Sequence, residues 1–323
     1  MKLGQIETPI VEFPDLTAFR MVCGINHSNL TYIEQKLNVI LHAPGGKMLF
    51  EGAQTQVDKA RQIIRRLYQR ALAGETIGEP QVRSELSFTA NDEAEPTLEH
   101  LQFGAGRRSV SARNPAQQIY LRMLMDQKND LVFGIGPAGT GKTFLAIAYG
   151  ASLLLAKRIE RLIVARPALE AGERLGFLPG DLAEKVDPYM IPIWDALHQT
   201  MGQQMLDRLR EQGKIEIAPL AFMRGRTLSD ALVVLDEAQN ASIAQMQMVL
   251  TRLGEGGRMV VTGDPGQSDL PRAQRSGLAH AVQILDGIKG IGVHQFTAND
   301  VVRHPLVARI VRAYEADQKH ETQ

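Results

Sequence analysis

Apolar residues recur in two different rhythms along the chain, and the rhythm changes near residue 113. In the first stretch Leu30, Ile33 and Leu37 stand at helical spacing, with Ser28 or Asn29 ahead of them as a cap. Val39-Ile40-Leu41 reads as a strand, Pro44-Gly45-Gly46 as a turn, and Met48-Leu49-Phe50 as the returning strand, ended by Gly52. Val57, Ala60, Ile63, Ile64 and Leu67 then mark one face of a second helix. Residues 1–75 are therefore expected to form a small α+β domain of a size that folds alone. The pattern fails over 76–113, where Gly, Pro and Ser mix with the acids Asp92, Glu93, Glu95 and Glu99. A linker is expected there, with a loop packed on the second domain as the other reading.

From residue 114 to 323 short apolar runs alternate with helical patterns. The runs Leu131–Ile135, Leu162–Ala165, Leu232–Leu235, Met259–Thr262 and Ile291–Val293 are the expected strands, and Lys214–Ala218 is a candidate sixth. Continuous apolar strands between helices predict an α/β domain with a parallel sheet buried on both faces.

Charge and cysteine content narrow the picture. The 36 basic and 36 acidic residues cancel, so binding to nucleic acid would need a local basic patch rather than a global field. Lys59, Arg61, Arg65, Arg66 and Arg70 lie along one predicted helix, either as a phosphate-facing stripe or as a solvated face. The single cysteine, Cys23, reads as a small buried side chain and fits a reducing compartment. Met1–Phe19 lacks the basic-then-apolar order of a signal peptide, and no apolar run is long enough to span a bilayer. A cytoplasmic protein with no membrane partner is expected.

The chemistry starts at Gly136-Pro137-Ala138-Gly139-Thr140-Gly141-Lys142-Thr143, which fits G-x-x-x-x-G-K-[ST] between an apolar strand and an Ala/Leu-rich helix. The glycines let backbone N–H groups turn toward phosphate oxygens, and the helix presents its positive end. Lys142 supplies a charge for the β- and γ-phosphates, and Thr143 a hydroxyl for Mg²⁺. ATP and Mg²⁺ are thus the expected ligands. Gly134 to Gly139 also fits the dinucleotide signature G-x-G-x-x-G, but Lys142-Thr143 decides for the phosphate loop.

A second apolar strand, Ala231–Leu235, ends in Asp236-Glu237. Strand ends are where ligands bind in parallel sheets. Asp236 is expected to hold Mg²⁺, and Glu237 to orient or deprotonate the attacking water. Met259–Thr262 leads into Gly263-Asp264-Pro265-Gly266-Gln267, where Gln267 is a candidate γ-phosphate sensor and a plain turn is the bland alternative. Arg166 and Arg303 are candidate cations for charge developing on the transferred phosphoryl group.

Further stretches carry a resemblance. Arg166-Pro167, Glu170–Asp181, Glu184–Tyr189, Asp236-Glu237-Ala238-Gln239-Asn240 and Val302-Arg303-His304 closely resemble the PhoH-like ATPases, over about residues 110 to 315. The resemblance implies a P-loop core similar to the first RecA-like domain of superfamily 1 helicases. It further implies that Gln117 reads adenine, that Gln267 senses the γ-phosphate and that Arg303 contacts it. The first domain looks like a KH-type RNA-binding module through Gly24-Ile25-Asn26-His27, Leu30, Ile33, Glu34, Val39 and Gly52, with His27 where the loop's last glycine would stand. RNA binding and a purely packing role are both open for it.

The functional expectation is Mg²⁺-dependent ATP hydrolysis coupled to RNA remodelling or processing. Because the chain has room for one RecA-like core, movement along RNA would need a second core from another subunit, hence a homo-oligomer, as a ring. The resemblance also suggests a YbeY-type endoribonuclease as partner. The alternative is a nucleotide-dependent scaffold or switch that does not touch RNA. A small-molecule kinase is a third class, which gains little from a water-orienting Glu237.

Overall fold

Antiparallel pairing in the first part of the chain and parallel pairing in the second follow from how apolar residues are spread over the strands. The computed structural model describes residues 10–72, 74–88, 100–103, 109–167, 182–271 and 274–302. Two compact units divide the chain, residues 1–115 and 116–323.

The first unit runs β1 (Ile10–Glu12), α1 (Leu16–Cys23), a short 3₁₀ turn (Ile25–His27), α2 (Ser28–Leu37), β2 (Ile40–His42), β3 (Lys47–Glu51) and α3 (Gln54–Leu72). Its three strands form an antiparallel sheet in the order β1-β3-β2. One face of that sheet is buried, and β3 alternates accordingly, with Met48 and Phe50 turned inward. Asp15 starts α1 by accepting hydrogen bonds from the Thr17 and Ala18 amides at 2.8 and 2.9 Å. Asn38 ends α2 in the left-handed conformation that asparagine tolerates. Val57, Ala60, Ile63, Ile64 and Leu67 of α3 close the core against Phe19, Leu30 and Ile33. The expected helix, hairpin and second helix are α2, β2 with β3, and α3, while β1 and α1 stand ahead of them in the same small α+β unit, and Gly24–His27 forms the turn between α1 and α2. Cys23 is buried, and burial pushes its thiol up to about 11.

The second unit contains α5 (Pro115–Met125), β6 (Leu131–Ile135), α6 (Lys142–Leu155), β7 (Arg161–Arg166), α7 (Leu182–Met201), α8 (Gln203–Glu211), β8 (Ile215–Pro219), β9 (Ala231–Leu235), α9 (Ile243–Leu250), β10 (Arg258–Gly263), α10 (Gly277–Leu285) and β11 (Ile291–Gln295). All six strands are parallel, in the order β11-β6-β10-β9-β7-β8. This is the expected α/β P-loop fold with a RecA-like parallel sheet, and the candidate sixth strand at Lys214–Ala218 appears one residue later, as β8. Every residue of β6 and β9 is buried, as helices on both faces require. The chain leaves β6 for β7, two places beyond β10, and later returns to fill the gap with β9 and β10. The ends of β6, β9, β10 and β7 therefore open onto one edge. Among the described residues no helix is long and apolar enough to cross a membrane.

The expected linker over 76–113 needs correction. It holds a helix, α4 (Glu79–Ser87), and a hairpin of β4 (His100–Gln102) with β5 (Ser109–Ser111), both within the first unit. Helix α4 packs on α2 and α3. Val82 and Leu86 turn into the apolar core, and a buried charge cluster fixes the helix beside them. Glu85 is 0% exposed and accepts from Arg66 Nε at 2.6 Å and from Arg70 Nη1 at 2.9 Å. Arg70 also forks onto Glu75 at 2.6 and 2.7 Å. Burial disfavours the Arg70 charge, but Glu75 and Glu85 outweigh it and hold the guanidinium above its ordinary pKa. Val82 and Leu86 are too short an apolar pattern to mark this helix in the sequence, and Glu85 reads as a solvent-facing acid until its arginines are placed. The same pairs revise the basic stripe of α3. Arg66 and Arg70 serve carboxylates, and Arg61 lies over Phe50 beside Asp58, so three of the row's five cations are engaged within the protein, while Arg65 is exposed.

Removing one partner of a buried ion pair strands the other, so Glu85→Ala should destabilise the first unit by about 3–5 kcal/mol. Exposed Arg65→Ala should stay within about 0.5 kcal/mol. Urea unfolding of the two variants measures the contrast, and equal midpoints would refute it.

Candidate functional site

The turn after β6 is shaped by its glycines. Gly136 has φ +133°, and a Cβ there would stand 2.5 Å from the Phe296 carbonyl oxygen. Gly141 has φ +84° and directly precedes α6, which has no side-chain cap. No side chain caps the first turn of α6, so the positive end of a 14-residue helix faces the loop. Lys142 is largely buried and its Nζ donates to the Pro137 carbonyl at 3.1 Å, which curls the side chain over the loop. Gly134, which completed the rival dinucleotide signature, is needed for packing, since a Cβ there would meet the Tyr120 ring at 2.6 Å.

Strand β9 delivers Asp236 beside this loop. Thr143 Oγ1 donates to Asp236 Oδ1 at 2.6 Å, so the two residues expected to hold the metal ion are in contact. Two residues that sequence reasoning did not attach to Asp236 complete its surroundings. Thr262, on the intervening strand β10, donates its hydroxyl to Oδ1 at 2.8 Å. Arg166, at the end of β7, donates to Oδ2 from Nε at 2.9 Å and Nη2 at 2.6 Å. Thr262 carried no signal of its own in the sequence, because a polar residue late in a strand is ordinary. A hydroxyl and a carboxylate are hard oxygen donors that suit Mg²⁺, which takes one or two carboxylates plus phosphate and water.

Glu237 leaves the strand in a different direction and in the left-handed conformation, φ 52°. Its side chain is 48% exposed against 2% for Asp236, so the adjacent acids have opposite environments. Gln239 holds it: Nε2 donates to Glu237 Oε2 at 2.6 Å, while Oε1 accepts the Asp264 amide at 3.0 Å. The Gln239 carbonyl accepts from Ser268 and Ser276 at 3.1 and 3.0 Å. Gln239 thereby ties the acid pair to the turn after β10, a role that spacing could not reveal.

Gln117 is buried, and its Nε2 donates to the Thr140 carbonyl at 2.8 Å. It braces the phosphate loop from α5. Gln267 lies exposed in the turn Asp264–Gln267, closed by its own amide on the Asp264 carbonyl at 3.0 Å, and is hydrogen-bonded to neither Asp236 nor Glu237. Arg303 and the stretch 170–181 lie outside the described residues, although the Val302 amide does donate to Gly139 in the loop at 2.9 Å. Behind β6, Tyr120 and His294 stack at 5.8 Å, and Tyr120 Oη and His294 Nε2 are buried without a hydrogen-bond partner among the described residues. Burial, with the Asp236 charge second, pushes the Tyr120 phenol up; burial pushes the His294 imidazole down, with Asp300 opposing.

Comparison with known proteins agrees with this geometry. Residues 109–315 match the family described as PhoH-like protein. The chain is 45% identical to the PhoH-like protein of Bacillus subtilis (strain 168) over 90% of its own length and 92% of the relative's. It is 42% identical to the PhoH-like protein of Synechocystis over 96% and 95%, and 42% identical to Protein PhoH of Escherichia coli (strain K12) over 83% and 75%. A solved structure, the crystal structure of Pif1 helicase from Candida albicans, matches with a TM-score of 0.30 and 14% identity over 57% of this chain and 40% of that one, too distant to argue from. A phosphate loop facing a strand-end acid pair, within a matched region that fills most of the second unit, places this chain in the PhoH-like protein family.

Proposed function

We propose that the second unit binds Mg²⁺-ATP and hydrolyses it, and that turnover is coupled to RNA remodelling or processing. The observation that carries the hydrolytic part is the meeting of Thr143, Asp236 and Glu237 at the edge where the glycine loop opens. Loop amides and Lys142 would hold the phosphates, while Thr143 and Asp236 would hold the metal ion. When bound, that ion neutralises charge on the β- and γ-phosphates. Glu237, half in solvent, is suited to take up a water and its proton as that oxygen bonds to the γ-phosphorus and the bond to the β-phosphate oxygen breaks. Gln239 limits where the Glu237 carboxylate can point. Gln117 reaches the loop backbone, so a role in reading adenine would be combined with bracing. Gln267 and Arg303 remain proposed contacts of the γ-phosphate.

The RNA part is supported by the order of elements in the first unit and by the exposed turn between α1 and α2, where Ile25 is 86% exposed. A homo-oligomer, as a ring, would bring a second such core beside this one, and a YbeY-type endoribonuclease is the proposed partner. A nucleotide-dependent scaffold is the second reading. It is favoured by the commitment of Arg66 and Arg70 to Glu85, which removes two cations from any RNA-facing row, and by His27 at the loop's last position.

Lys142→Ala removes the charge facing the phosphates and should abolish ATP binding in equilibrium titration; unchanged affinity would contradict the site. Glu237→Gln should keep ATP affinity and lower phosphate release by about 10²-fold or more. Adding single-stranded RNA should raise phosphate release in the wild type and not in this variant, whereas a wild-type rate indifferent to RNA would favour the scaffold. Gln239→Ala should lower kcat by about tenfold with little change in nucleotide affinity, because it frees the Glu237 carboxylate rather than a phosphate contact. An affinity loss with unchanged kcat would assign Gln239 to binding instead.

A further inference from the structure

Arg166 ends β7 at the open edge of the sheet and lays its guanidinium on Asp236. Nε and Nη2 both donate to Oδ2, at 2.9 and 2.6 Å. The other oxygen accepts from Thr143 and Thr262. A carboxylate has about four acceptor positions, and all four are in use. The Asp236 side chain is 2% exposed and that of Arg166 16%, so solvent screens this pair poorly. A buried carboxylate needs a positive partner, and Arg166 supplies it here. The phosphate chemistry asks the same carboxylate, with the same Thr143 hydroxyl, to hold a divalent cation. A guanidinium on Oδ2 and a divalent cation on the Thr143 side of the same carboxylate would repel each other and divide one negative charge, so each weakens the other's hold.

We propose that Arg166 and the metal ion of a metal–nucleotide complex hold Asp236 in alternation, Arg166 leaving the carboxylate as the cation arrives. Glu237 is the receiving group: its Oε1 already lies 3.7 Å from Arg166 Nη2. The guanidinium thus needs only a short swing to pass from the metal-holding acid to the water-handling acid. Arg166 is a positioning residue in this scheme. It keeps Asp236 charged and aimed, sets how much metal ion is needed for nucleotide binding, and reaches Glu237 once that ion has been taken up. The proposal rests on the phosphate-site reading given above.

The test is equilibrium binding of ADP to the full chain at increasing MgCl₂, for wild type and Arg166→Gln. ADP keeps any γ-phosphate contact of Arg166 out of the measurement. The variant lacks the competing cation, so half of the metal-dependent binding should be reached at about tenfold lower Mg²⁺ than in wild type. An arginine of purely structural value would lower the thermal midpoint and leave the Mg²⁺ requirement where it was. An unchanged or raised requirement in Arg166→Gln, with ADP still bound, overturns the exchange alone. Failure of wild type to bind ADP at any Mg²⁺ concentration overturns the phosphate site and the exchange with it. Should Arg166→Gln not fold, Arg166→Lys decides, because lysine keeps the charge but cannot make the two-pronged contact: a lowered requirement supports the exchange, and an unchanged one overturns it.

Discussion

A carboxylate shut away from water at the end of β9 sets the terms for the nucleotide edge. Taking one such ion out of water costs several kcal/mol, and only well-placed partners offset it. Asp236 draws those partners from three separate elements: Thr143 from α6, Thr262 from β10 and Arg166 from β7. The strand order is what makes this possible. Strand β10 lies between β6 and β9, with Thr262 level with Gly134, so its hydroxyl stands between the phosphate loop and the acid. Backbone bonds lock the same edge, the Gly136 amide donating to Gly263 at 3.0 Å and the Asp236 amide to Ala165 at 2.9 Å.

Glu85 in the first unit is the instructive contrast. It too is buried and ion-paired, but both its arginines come from one helix and one of them is also clasped by Glu75. That cluster is closed: each charge has its partner and no ligand-shaped turn adjoins it among the described residues. Asp236 has, among the described residues, one arginine and two neutral hydroxyls beside a glycine loop. That cationic partner can therefore be replaced without leaving a second charge stranded, and Glu237 stands close enough to receive it. Similar buried pairs thus serve rigidity in one unit and exchange in the other.

Beneath the loop, packing does what charge does above it. The absence of a side chain at Gly134 admits the Tyr120 ring, which meets Phe296 edge-on at 5.3 Å. Phe296 follows β11, its amide donates to Ile135 at 2.8 Å, and its carbonyl presses on Gly136. Gln117, one turn before Tyr120 on α5, holds the Thr140 carbonyl. The loop thus rests on a layer built from α5 and the end of β11, which limits its freedom to collapse and preserves the direction of its N–H groups.

The sequence by itself determined α2, the hairpin of β2 and β3, α3, the parallel strands, the phosphate loop and the strand-end acids. It could do so because these depend on local periods and on residues adjacent in the chain: Gly136 to Thr143 is one turn, and Asp236-Glu237 one strand end. The expected strand at Val39–Leu41 appears one residue later, at Ile40–His42, because pairing with β3 rather than apolar character sets where it begins. Helix α4 escaped notice because its apolar face is short, Val82 and Leu86, and the buried Glu85 beside them finds Arg66 and Arg70 only on folding. Arg166, Thr262 and Gln239 acquired their partners only on folding. Arg166 and Asp236 are separated by 70 residues, and Thr262 and Asp236 by 26. Nothing in a linear pattern says which strands will be neighbours, so only the order β6-β10-β9-β7 could decide which hydroxyl and which guanidinium meet the buried acid.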